Sequence, residues 1–307
     1  MDIIKAIASE LNVRNNQVEA AVKLIDEGCT IPFISRYRKE DTGALNDEQL
    51  RNLDERLKYL RNLEDKKTQV IASIAEQGLL TDELKNQIEK ADTMVAVEDL
   101  YRPYRPKRRT RATIAKEKGL EPLANIIMLQ MTGEPVVKTA EEYVSEEKDV
   151  KTPEDAVAGA KDIIAESISD NADYRTRIRE LTFKEGVLTS AAKDAEAKTV
   201  YEMYYNFSEP AAKMAGHRIL AVNRGENEKI LTVKIEAPVD KILAYLEKQI
   251  IVRDNQYTTG IIKEAIEDSY ERLIAPSIER EIRNQLTETA EAGAIKVILK
   301  NLEQLLL

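Results

Sequence analysis

The sequence contains no tryptophan, one cysteine, one histidine, three phenylalanines and eleven glycines in 307 residues, and each scarcity removes a class of chemistry. Cys29 has no second thiol to pair with, so no intramolecular disulfide can form, and with His217 as the single imidazole no Cys/His cluster can hold zinc. Nucleophilic catalysis needs a base beside Ser or Cys, and His217 sits in a helical stretch next to Arg218, where it reads as a structural histidine. No catalytic residue and no metal ligand is assigned. The scattered glycines form neither a phosphate-cradling loop nor a dinucleotide fingerprint, so no cofactor is implied. No apolar run approaches the ~20 residues that span a bilayer. The N-terminus opens on Asp2 and an amphipathic pattern instead of a basic and then an apolar region, which places the expected chain in the cytoplasm without a membrane partner.

What is present is charge and aliphatic surface. Charged residues make up 33%, aromatics 5%, and the formal net charge is −9. That palette belongs to a mainly α protein, a multi-helical array, with length for about two domains. An acidic balance argues against generic coating of DNA, which draws on a broad basic face, so any nucleic-acid contact must be local.

Apolar residues recur at three and four over Ile3 to Leu11 and Gln17 to Leu24, separated by Asn12-Val13-Arg14-Asn15, which predicts a helix-turn-helix-like pair closed by Gly28. Neither helix carries the cationic face of a recognition helix. Asn46 followed by Asp47, Glu48 and Gln49 is a helix start, after which Leu50, Leu53, Leu57, Leu60, Leu63, Val70, Ile71 and Ile74 continue one stripe to Gly78. Lys67 interrupts that stripe, so a helical hairpin with the helix opening at Thr81 is expected in preference to a coiled coil. Thr152-Pro153-Glu154-Asp155 starts a further helix running to about Ser169, and another runs from Ala172 to Gly186. Ile230 to Ile235 alternates as a strand and needs a partner near Gly186 to Thr189, giving a short β-hairpin, while Ser208-Glu209-Pro210 reads as a helix start. From Thr258 onward the pattern is helical, broken at Pro276. Val297, Ile298, Leu299 and Leu302 to Leu307 are too apolar for a solvated tail. The expected division is 1–131, an N-terminal helical domain; 132–257, a second helical domain with the β element; and 258–307, a long helical segment.

One run departs from the acidic whole. Tyr101 to Arg111 holds six cations, Arg102, Arg105, Lys107, Arg108, Arg109 and Arg111, with two tyrosines, two prolines and no carboxylate. Pro103 and Pro106 stop a helix and favour extended geometry, so a stiff, outward-facing strap is expected. Arg forks suit phosphates and tyrosine rings suit unpaired bases. Arg36, Arg38 and Lys39 extend the candidate nucleic-acid-binding set. The alternative stays open at this level: fifty-five carboxylates lie elsewhere, and the strap can equally clamp an acidic helix face of its own chain.

Five motifs carry a resemblance. These are Ile31-Pro-Phe-Ile-Ser-Arg-Tyr-Arg-Lys-Glu, Asp99-Leu-Tyr-Arg-Pro-Tyr-Arg-Pro-Lys-Arg-Arg-Thr-Arg-Ala, Ala158-Gly-Ala-Lys-Asp-Ile-Ile-Ala-Glu, His217-Arg-Ile-Leu-Ala-Val-Asn-Arg-Gly-Glu and Arg272-Leu-Ile-Ala-Pro-Ser-Ile-Glu-Arg-Glu-Ile-Arg. Together they resemble the N-terminal region of the Tex family, bacterial transcription accessory proteins related to a eukaryotic elongation factor. The resemblance implies a parent protein that binds RNA or DNA in transcription, mainly through RNase H-like, helix-hairpin-helix and OB-fold domains expected to follow this stretch. It also implies the transcription machinery as a possible protein partner, with this region as a helical scaffold.

Overall fold

The computed structural model describes residues 2–306, without the side chains of 300 and 303–306. Contacts along the chain gather into two compact units, Met1–Arg105 and Pro106–Leu307.

The first unit contains α1 (Ile3–Leu11), α2 (Asn15–Asp26), α3 (Ile31–Tyr37), α4 (Asp47–Glu76), α5 (Asp82–Lys90) and α6 (Met94–Tyr101). Asn12 ends α1 in the left-handed region at φ 54°, a conformation that its short amide side chain tolerates, and the two expected N-terminal helices follow. The start of α4 is the reciprocal cap that the sequence announces. Asn46 Oδ1 accepts the Gln49 N–H at 2.8 Å, and Gln49 Oε1 accepts the Asn46 N–H at 3.0 Å. Leu50, Leu53, Leu57, Leu60, Leu63, Val70 and Ile74 then line one buried face. Against it pack α1, α2, α3, α5 and α6, each fully buried leucine contributing about 1.5–3 kcal/mol. Lys67 does not break this face. Its side chain is buried, and its ammonium donates to Glu64 and to the Glu89 carbonyl, each at 2.9 Å, where α5 crosses.

The second unit contains α7 (Arg111–Glu117), α8 (Glu121–Leu129), α9 (Val136–Ala140), α10 (Pro153–Ser169), α11 (Ala172–Glu185), β1 (Val187–Ala192), β2 (Asn206–Pro210), α12 (Gly216–Asn227), β3 (Leu231–Glu236), α13 (Val239–Ile250), α14 (Thr259–Asp268) and α15 (Ala275–Leu306). The centre is α10, which begins at the Thr152–Asp155 capping box and is covered by α7, α8, α9 and α14. Its approach to α7 and the turn after it is close enough that a Cβ on Gly159 would stand 3.3 Å from Ala115 Cβ and 2.3 Å from Leu120 Cδ1.

Three sequence expectations are corrected here. The short hairpin is a three-stranded antiparallel sheet in the order β2-β1-β3, with Leu188 opposite Ile235 on one side and Glu209 on the other. Ser208-Glu209-Pro210 is the end of an edge strand, because β1 already holds β3 on one flank and offers its other ladder to Asn206–Pro210. Pro210 sits at the last position, where a missing N–H is tolerated. Nor does Pro276 break the final helix. The chain stays helical from Thr259 to Leu306 through a π-helical segment, Ser269–Ile274, immediately before it. A proline ring collides with the carbonyl four residues back, and the wider turn relieves that collision. Within this segment Ser269 Oγ donates to the Ala165 carbonyl of α10 at 2.6 Å.

The expected boundaries at 131/132 and 257/258 fall inside the second unit. Gln130 donates to the Ile250 carbonyl at 2.8 Å and accepts the N–H groups of Val252 and Arg253 at 3.0 Å. Asn255 donates to the Thr132 carbonyl at 2.9 Å. These bonds knit the composition change into one core. Val297, Ile298, Leu299 and Leu302 are exposed on α15, and the remaining positions of the apolar tail, 303–307, lie outside the described residues or side chains. Among the described residues no helix is long and apolar enough to cross a membrane.

Candidate nucleic-acid interface

The strap starts as a turn. Pro103 ends α6, and the Tyr101 carbonyl then accepts the N–H groups of Tyr104 and Arg105 at 2.9 and 3.0 Å. The Tyr101 hydroxyl hydrogen-bonds Ser73 at 3.0 Å, and Gln77 donates to the Tyr104 carbonyl at 2.9 Å. Both tyrosine rings pack against the core of the first unit. The expectation that they present faces to bases is therefore corrected. They are anchors, held because an apolar ring beside an apolar stripe buries more than it gains in water. The extended part shrinks to Pro106–Arg109, since Thr110 caps α7 and Arg111 is its first residue.

The nine candidate cations divide between the units and between two conditions. In the first unit, Arg102 is half-buried and partnered, while Arg105 reaches Glu98 at 3.8 Å, with its side chain 65% exposed. Arg38 pairs with Asp41 at 3.3 Å. Arg36 and Lys39 are exposed and have no ion pair among the described residues.

In the second unit, Lys107 turns onto the end of α10. Its ammonium bonds Asp170 and stands 3.6 Å from Glu166, all three side chains less than a quarter exposed. That is the clamp that the sequence left open as an alternative. Arg109 meets Glu117 at 3.1 Å with both side chains well exposed, a contact worth at most about 1 kcal/mol. Arg108 is exposed without an ion pair among the described residues.

Arg111 faces an acidic lattice. Arg272 donates to both oxygens of Asp268, at 3.0 and 2.6 Å, and stands 3.7 Å from Asp162. The bidentate bond holds the Asp268 carboxyl below the usual range, with the charges of Arg272 and Arg111 adding to it. Burial pushes Asp162 up, and Arg272 and Arg111 only partly counter it. Arg111 and Asp162 also line a cavity of about 430 Å³ with Lys118, Asp149, Lys151 and Asp155. Its three cations and three carboxylates balance, so it presents no net charge to a phosphate.

Other groups stand outside these arrangements. His217 is exposed on α12, instead of satisfied within the fold, at the edge of an apolar cavity of about 700 Å³ lined by Phe183, Leu220, Leu286, Val297 and Ile298. Cys29 is half-buried against the first core. Among the described residues no three His, Cys, Asp or Glu side chains are grouped to hold a metal ion.

Sequence reasoning missed Arg175. It has no exposed surface, yet donates to Ser277 Oγ at 2.7 Å and to Glu281 at 3.0 Å, and Arg179 takes the other Glu281 oxygen at 2.8 Å. Burial raises Glu281, but the bonds and charges of Arg179 and Arg175 outweigh it and leave the carboxyl below its usual value. The sequence signal was three arginines spaced by two on α11, where helical spacing puts Arg175 and Arg179 on one face and Arg177 on another.

Comparison with known proteins matches this architecture in chain order. Residues 1–75 fit the family model described as the Tex-like protein N-terminal domain, and residues 132–298 fit the Tex central region-like model. The chain is 51% identical to the uncharacterized protein YdcI of Bacillus subtilis over 98% of its own length and 42% of that relative. It is 38% identical to the transcriptional accessory protein Tex of Neisseria gonorrhoeae over 100% of its length and 41% of that protein. It is 30% identical to the human S1 RNA-binding domain-containing protein 1, again over its whole length but 32% of the relative. The chain thus spans less than half the length of these curated relatives. Two family models in their proper order, joined by a likeness that runs through the strap and the π-helical segment, carry one conclusion: the chain belongs to the Tex family.

Proposed function

We propose that this chain is the N-terminal helical frame of a Tex-like protein that acts in transcription and binds nucleic acid. The observation that carries the reading is the set Arg36, Lys39 and Arg108, exposed cations without an ion pair among the described residues in a chain of net charge −9. Where carboxylates are in surplus, most cations are neutralised locally, and those left unpaired remain available to phosphates. The relatives' names support the direction, since one is called a transcriptional accessory protein and another carries an S1 RNA-binding domain in its name. The larger share of RNA or DNA affinity belongs to the part of those relatives beyond the matched span, and the contacts here are auxiliary. No reaction and no cofactor is assigned to the chain, and the cytoplasm is its proposed compartment.

Anisotropy titration of labelled single- and double-stranded oligonucleotides at two salt concentrations tests the reading. Affinity should fall with salt, and the combined Arg36→Glu and Arg108→Glu variant should flatten that dependence by about one unit of log–log slope for every phosphate it no longer neutralises. Affinity indifferent to salt and to these charges would overturn it. A second reading, a protein-binding scaffold with an internally paired strap, is favoured by the Lys107 clamp on Asp170 and Glu166. Under that reading the same variant leaves oligonucleotide binding unchanged, and transcription proteins are the partners.

A further inference from the structure

The short helix α3 carries the clearest unexplained surface. Ile34 is fully buried and pins the helix to the first core, whereas Phe33 and Tyr37 are 41% and 72% exposed. They lie four residues apart on one face, with ring centroids 5.3 Å apart and planes tilted by 45°. The other two phenylalanines, Phe183 and Phe207, pack against the second core, as Tyr59, Tyr101 and Tyr104 pack against the first. Leaving an aromatic pair in water forfeits burial worth about 25 cal/mol per Å², and neighbouring exposed aromatics mark contact sites.

The polar surroundings say which contact. Arg36 and Lys39, on or beside the same helix, are exposed and free of ion pairs among the described residues. The nearby carboxylates are Glu40 and Asp41, and Asp41 is already taken by Arg38 at 3.3 Å. An open ring face beside unpaired cations matches a base and its flanking phosphates. Duplex DNA hides its base faces, so it can meet the cations but not the rings.

We propose that Phe33 and Tyr37 form a stacking platform for unpaired bases of single-stranded RNA or DNA, with Arg36 and Lys39 on the adjoining phosphates. The assignment rests on the nucleic-acid reading above and names a site that can fail without it. Stacking tolerates any base, so the platform binds without sequence preference. The helix is held by Ile34 and the Tyr37 ring is 72% exposed, so replacing Tyr37 leaves the fold intact.

Anisotropy titrations of the whole chain with labelled single-stranded RNA, single-stranded DNA and duplex DNA provide the test. Tyr37→Ala should weaken both single strands by about tenfold, the range expected when one base can no longer stack, without moving duplex affinity or the thermal midpoint. Tyr37→Phe should retain binding. Arg36→Ala with Lys39→Ala should weaken single strands and duplex alike and lower the salt slope by about one unit for each phosphate set free. Photocrosslinking of a bromouracil-substituted strand should label the peptide that carries Phe33 and Tyr37. Single-strand affinity that is salt-dependent but unmoved by Tyr37→Ala overturns the platform, leaves the nucleic-acid reading standing and returns the aromatic pair to a protein contact. A wild-type chain that binds no oligonucleotide at low salt overturns both.

Discussion

Glu281 joins two arginines of α11. One oxygen accepts from Arg175 at 3.0 Å and the other from Arg179 at 2.8 Å, across the packing of α11 on α15. Arg175 is completely buried, and its charge is met there by the Glu281 carboxylate, by Ser277 and by the Ser169 carbonyl. Removing one member of a buried pair costs about 3–5 kcal/mol, because the other charge is left without compensation. Glu281→Ala should lose stability on that scale in urea titration, and the double variant with Arg175→Met should recover part of it.

The same carboxylate sets an acid limit. The folded protein holds the Glu281 carboxyl below its ordinary value, so its contribution is complete above the unfolded value near 4.3 and is lost as pH falls through the folded one. Thermal midpoints measured from neutrality down to strong acid should drop more steeply for the wild type than for Glu281→Gln, which has no proton to gain.

Lys107 and Arg108 are sequence neighbours with separate fates. Lys107 bonds Asp170 beside Glu166 in a partly desolvated corner, whereas Arg108 is exposed. Lys107→Ala should lower stability by about 1–2 kcal/mol and leave oligonucleotide affinity unchanged. Arg108→Glu should do the reverse. Paired melting and binding measurements on the two variants check the contrast.

Gly159 admits α7 and its following turn to the surface of α10. A methyl there would stand 2.3 Å from Leu120 Cδ1 and 3.3 Å from Ala115 Cβ. Leu120 is 1% exposed and cannot swing into solvent. Gly159→Ala should destabilise by about 1–3 kcal/mol through overpacking, read as a lowered denaturation midpoint. Leu120→Ala in the same chain should relieve the collision, so the two changes combined should cost less than their sum.

Much of this frame is legible in the sequence because its signals are local. Asn46 and Thr152 announce helices with their own side chains, the stripe from Leu50 to Ile74 repeats at the helical period, and Leu231 to Glu236 alternates cleanly. What escapes is decided by partners distant in sequence. Asn206–Pro210 is a strand because β1 has a free ladder. Arg175 is buried because Glu281, 106 positions away, can meet it. The candidate cations were visible as a composition, but which of them are spent on carboxylates depends on where α10 ends and where Glu98 points. Arg36 and Lys39 stay without an ion pair among the described residues, and the exposed ring of Tyr37 between them carried no periodic signal at all.

The π-helical segment has a consequence for the long helical run that contains it. Each residue of an α-helix turns it by about 100°, and a π-turn takes up one residue more over nearly the same rotation, so the sequence register moves by one position while the helix that follows keeps its direction. Upstream, Ile262 and Ile266 face one set of neighbours, and downstream, Ile278, Ile282 and Leu286 face another around α11 and α12. Ser269–Ile274 therefore acts as a phase shifter. Excising a single residue there would restore regular winding and leave the downstream stripe on its neighbours, whereas the same excision farther along α15 would turn everything after it by about 100°.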